Sequence, residues 1–147
     1  MSANVTPNLG LSQWEAADPV LREDFNRDNA LLDAACAAIP KMAVGAYTGS
    51  GTFGPDQAVT EITFDFSPRL VVVSPDSTLN LHGALVLVRG QSAFNGTGFL
   101  TDSAGGLGLA VTWGEKSVSW RCANGGSAEK QFNEKNTAYR YFAIGEG

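Results

Sequence analysis

A chain of 147 residues with a formal net charge of -5 fits one ordinary domain, or a small domain with an extension. An acidic chain without a basic stripe is a poor partner for nucleic acid, because phosphate neutralisation supplies most of that affinity, and no apolar run here reaches a membrane span. One histidine and two distant cysteines exclude a His-rich metal site and match no zinc spacing.

The charge is uneven. Within residues 1–40, Glu15, Asp18, Glu23, Asp24, Asp28 and Asp33 face only Arg22 and Arg27, a local balance of -4. The N-terminal residues have neither a basic region nor an apolar core, so no secretory signal is predicted. Cys36 and Cys122 are then expected to be small buried hydrophobes in a chain that folds in a reducing cytosol.

Residues 1–17 are expected to form an extended arm, interrupted by Pro7 and Gly10 and carrying Leu9, Leu11 and Trp14. Asp18-Pro19 reads as a helix cap with proline at the first helical position, and Asp24 repeats the cap before Phe25. The expectation is a short turn over 19–23 and a helix over 25–39, stopped by Pro40. Phe25, Asn29, Leu32, Cys36 and Ile39 are spaced four, three, four, three, the seam of a self-associating helix with an asparagine that fixes register. An ordinary amphipathic helix packed on its own domain is the other reading of the same stripe. A helix of this length is marginal alone and must pack on something.

From Lys41 onward the pattern changes to alternation, and the expected division is an arm and helix over 1–43 and a β-rich head over 44–147. Residues 61–66 alternate with Ile62, Phe64 and Phe66 on one face, and Leu70-Val71-Val72-Val73 reads as a central strand. Further strands are expected over 83–88, 94–100 and 137–145. Residues 107–113 and 117–122 read as a hairpin about Gly114-Glu115-Lys116, with Val111, Trp113, Val118 and Trp120 on one face. The class is mostly β: an arm and a short helical stalk, then an antiparallel β-sandwich with Phe64, Phe66, Val72, Val111, Trp113, Val118 and Trp120 inside.

Chemistry is sparse. No Gly-x-Ser-x-Gly elbow is present, and the glycines of 45–54 do not precede a helix as a phosphate loop does. Glu61 and Asp65 read as a solvated face, because paired carboxylates need burial to separate their pKa values. No enzyme, cofactor or metal is expected. Trp14 has no core in its own arm and is expected, with Leu9 and Leu11, to dock on a neighbouring surface. The polar loops 74–81 and 90–97 bring Asp76, Asn80, His82, Gln91 and Asn95 as candidate ligand contacts, or as ordinary polar turns.

Asn8-Leu9-Gly10-Leu11, Trp14, Asp18-Pro19-Val20, Asp24-Phe25-Asn26, Asp28-Asn29 and Asp33 resemble the N-terminal segment of short tail-fibre or receptor-binding proteins of bacteriophages, prophages and contractile tail particles. Gly45-Ala46-Tyr47-Thr48-Gly49, Phe66-Ser67-Pro68-Arg69-Leu70-Val71, Trp113, Ser117-Val118-Ser119-Trp120 and Tyr139-Arg140-Tyr141-Phe142 are similar to the small β head of those fibres, and also to H-type lectin domains. The resemblance covers nearly the whole chain, although no long repetitive shaft is present. It implies a homotrimer in a virion or phage-tail-like particle made in a bacterial cytoplasm, its N-terminus on a baseplate or tail protein. The head would then contact host cell-surface carbohydrate, without nucleic acid or membrane insertion. A structural tail cap or adaptor with no receptor is the alternative; a free-standing agglutinin fits the acidic arm less well.

Overall fold

The run Leu70-Val71-Val72-Val73 lies in the middle of the largest sheet, where β-branched residues pack well on a pleated surface. The computed structural model describes residues 2, 4–56, 59–76, 83–91, 93–95, 98–100, 108–123 and 126–147, with only the backbone of 93–95 and 98–100. The strands are β1 (Asn4–Val5), β2 (Ser12–Gln13), β3 (Lys41–Thr48), β4 (Thr60–Thr63), β5 (Ser67–Pro75), β6 (Leu85–Val88), β7 (Ala93–Asn95), β8 (Gly98–Leu100), β9 (Leu109–Trp113), β10 (Ser117–Cys122) and β11 (Ala138–Glu146); the helix α1 is Arg22–Ala37. Among the described residues the fold is mostly β with one short helix, and every strand pairing is antiparallel.

Two units are distinct, Met1–Ile39 and Pro40–Gly147. The junction precedes β3 instead of falling at residue 43, because Pro40 ends the helical segment and Lys41 already pairs with Gly145.

In the first unit β1 and β2 form a small hairpin, so the arm is folded and not simply extended. Its turn closes through Gly10 at φ 67°, where the Gly10 amide donates to the Thr6 carbonyl at 3.0 Å. The turn expected over 19–23 lies upstream instead. The Asp18 carboxylate accepts from the Glu15 amide at 2.9 Å, and the Asp18 amide returns to the Glu15 carbonyl at 3.0 Å. Asp24 is not a cap either: α1 begins at Arg22, its cap position Leu21 is extended, and no side chain caps it. Glu23 and Asp24 sit in the first turn, where carboxylates favour the helix dipole.

In the second unit one sheet has the order β4-β10-β9 and the other β3-β11-β5-β6-β7-β8. Both sheets feed one buried cluster that includes Ile62, Phe66, Val71, Leu85, Val118 and Trp120. The hairpin about residues 114–116 forms, with Val118 opposite Trp113 and Trp120 opposite Val111. Val118 and Trp120 are fully buried, while Val111, Trp113 and Phe64 are half-buried against the cluster. Val72 is a correction. Val71 and Val73 point inward with no exposure, so Val72 occupies the opposite face of β5. The expected strand 61–66 stops at Thr63, and the expected strand 94–100 is a hairpin of β7 and β8. Two glycines permit close approach: Tyr141 lies over the place where a Gly45 side chain would stand, and Gly145 meets Ser67 and Phe66 beside the irregularity in β11.

Candidate functional site

On α1 the polar side is the one covered within the unit. Asp24 and Asp28, one turn apart, are buried, and the hairpin docks on them. The Ser12 amide donates to Asp28 Oδ2 at 2.8 Å, and the Ser2 amide donates to Asp24 Oδ2 at 3.2 Å. Arg27 Nη2 adds a bond to Ser12 Oγ at 2.8 Å and a 3.3 Å contact with Asp28. Burial pushes the Asp28 carboxyl up, but the Ser12 amide and hydroxyl and the Arg27 guanidinium outweigh it and hold the group below its ordinary value.

The apolar side of the same helix is open. Phe25 is 50% exposed, Leu32 42% and Ile39 61%, with Asn29 and Cys36 exposed between them. Cys36 is therefore a free, exposed thiol in the single chain, contrary to the expectation of burial, because its seam faces outward. Cys122 is buried and free; burial raises its thiol pKa, so it is an inert packing residue. Trp14 has a partner that sequence reasoning does not provide. Its ring lies 5.1 Å from that of Phe25, and its indole N–H is buried without an acceptor. Leu9 is exposed and Leu11 half-buried.

Of the candidate ligand residues in the head, the structure describes Asp76, Gln91 and the backbone of Asn95. Asp76 follows β5 and is engaged by Arg140, whose Nε and Nη2 donate to the two carboxylate oxygens at 2.5 and 3.2 Å. That hydrogen bonding holds Asp76 below its ordinary pKa. Gln91 is exposed in the turn after β6, with its amide bonded to the Val88 carbonyl at 2.9 Å. Asn95 belongs to β7 and not to a loop, since β7 pairs with β8. Asn80 and His82 lie outside the described residues.

Two features are missed by sequence reasoning. The first is a polar clamp between residues 50–54 and 131–133. Gln131, fully buried, accepts from the Gly54 and Cys122 amides at 3.1 and 2.9 Å, and Asn133 donates to Ser50 Oγ and the Thr52 carbonyl, each at 2.8 Å. Phe132 between them is held at φ 55°, rare for a bulky residue, and its carbonyl accepts the Tyr47 hydroxyl at 2.5 Å. Burial, with Tyr139 alongside, keeps Tyr47 a neutral phenol. The clamp is satisfied from within, so it fixes loop geometry.

The second is the outward face of the six-stranded sheet. Val44, Phe142, Val72 and Val86 lie opposite one another across four strands, and Met42, Ile144, Leu70 and Val88 form the next row. A shallow depression of about 530 Å³ opens there beside Val44, Val72, Ser74, Arg140 and Phe142. The signal available in the sequence is the apolar character of both alternating sets in these strands.

Compared with protein families, with characterised proteins and with solved structures, the chain matches none. Among the described residues no three His, Cys, Asp or Glu side chains gather as a metal site, and no helix is long and apolar enough to cross a membrane.

Proposed function

We propose that the chain is a homotrimeric receptor-binding protein of the tail-fibre type. The helix is its trimerisation stalk, and the two sheets are the leaves of a β-sandwich head. The arm attaches the stalk to a tail or baseplate protein, and the head meets host surface glycan. The supporting observation is the inverted helix: the buried described residues of its unit, Ser12, Asp24 and Asp28, are polar, while Phe25, Leu32 and Ile39 are exposed. A 16-residue helix with such a face gains its stability from a partner. The physical advantage of three heads is avidity, roughly 10²–10⁴ over a single weak site without new contacts.

A second reading, a structural cap or adaptor without a receptor, draws on the Arg140–Asp76 pair, which occupies the one described candidate carboxylate of the ligand loops. The test is a pull-down of the full chain on bacterial cell-wall polysaccharide, with solution mass measured in parallel. Capture by a trimer supports the receptor-binding reading. A trimer that captures no glycan leaves the adaptor reading, and a monomer removes the trimeric receptor-binding reading.

A further inference from the structure

The outward face of the six-stranded sheet carries its two apolar rows without a charged side chain in either. Val44 is 79% exposed, Met42 67% and Phe142 37%. A sheet with one solvated face alternates apolar and polar residues; here Leu70 and Val72 face outward while Val71 and Val73 are buried, the composition of a strand covered on both sides. β3 is also an edge strand of eight residues, without proline and with Lys41 its one charge. Natural edges of that length are blunted or covered.

We propose that this face, beginning at β3, is an interface between copies of the chain, in addition to the helix contact. The inference rests on the self-association reading of α1. The chain connectivity favours a copy of itself as the occupant. Ile39, the last residue of the helix seam, is 61% exposed, and Met42 and Val44 follow within five residues. At a reach of at most about 3.6 Å per residue, Val44 stays within roughly 18 Å of Ile39. Helices that meet through Phe25, Leu32 and Ile39 therefore tether the β3 strands of neighbouring copies, which raises the effective concentration of one such face at another. Charge points the same way. The rows are closed at one end by Arg140 with Asp76 and at the other by Arg69 with Glu146 at 2.7 Å, both compensated within the chain. A chain of net charge -5 repels its copies except where the meeting faces are neutral, and this face is neutral.

The test is sedimentation equilibrium of the full chain and of Val44→Glu over a range of concentrations. Val44 is exposed in the single chain, so the glutamate leaves the fold intact, which circular dichroism checks. The expected result is an associating wild type whose dissociation constant rises roughly 100-fold or more in the variant, as like charges at an interface imply. A second arm uses Val44→Cys with Cys36→Ser and a short thiol cross-linker, which should join copies through position 44. Unchanged association of Val44→Glu together with no cross-linking at position 44 overturns the head interface and leaves the helix reading standing. A wild-type chain that stays monomeric at micromolar concentration overturns the helix reading and this inference with it.

Discussion

Trp120 is fully buried on β10, and its indole N–H donates to the Gln131 carbonyl at 2.8 Å, so one side chain joins the small sheet to the clamp loop. Trp120→Ala removes a large core group and orphans that carbonyl, and should cost about 3–5 kcal/mol in chemical denaturation. An unchanged midpoint would mean that this indole carries no packing energy. Its burial is legible in the sequence because Ser117 and Ser119 mark the opposite face of the same strand. Val72 is not legible in that way. Leu70-Val71-Val72-Val73 has no polar residue to set the parity, so only pairing with β11 and β6 decides that Val71 and Val73 go inward. Gln131 gives no local signal at all. It sits in a polar run, and its partners are supplied by Thr52 and Gly54, far off in the chain, and by Cys122 at the end of β10.

At the scale of elements, the helix is legible from its stripe and from Pro40, but its start is not. Asp24 is spelled like a cap, yet the Ser2 amide ahead of β1 and the Ser12 amide of β2 lie where two carboxylates one turn apart can accept from them, and that tertiary contact wins. The contact makes the arm sensitive to acid. Asp28 is held below its ordinary pKa of 3.8, so its contribution is fully present above that value and is lost as pH falls through the lowered one. The protection of the Ser12 amide, relative to its intrinsic exchange rate at each pH, should therefore be high at neutral pH and fall as the pH drops below about 4, whereas an Asp28→Asn chain should lack that pH step. Ser12 protection that is flat through the same range in the wild type would remove Asp28 from the docking of the arm. The strands of the head divide similarly. The hairpin of β9 and β10 is written by alternation around a glycine turn, while β7 and β8 are obscured by glycines within a single apolar stretch.

For the whole molecule, the two units differ in how each holds itself together. Pro40–Gly147 contains the buried cluster, with Val71, Val73, Leu85, Val118 and Trp120 fully enclosed. Met1–Ile39 closes on charged and polar contacts, and Phe25, Leu32 and Ile39 of its helical segment are exposed. The change of pattern after Pro40 makes the division visible in the sequence; what covers each apolar face is not written there, because it depends on surfaces that meet only after folding. A peptide of residues 1–39 isolates the question. Helices of this length are marginal in water, and this one buries no large apolar side chain to offset the ordering of its backbone. Its helicity by circular dichroism should be low at micromolar concentration and rise with concentration as the Phe25, Leu32 and Ile39 faces meet, in step with its mass by sedimentation. Replacing Leu32 by glutamate should abolish the rise, since a charge then has to be buried at each contact. A peptide that is fully helical while still monomeric would show that the Asp24 and Asp28 contacts suffice, and the exposed seam would lose its claim to a partner.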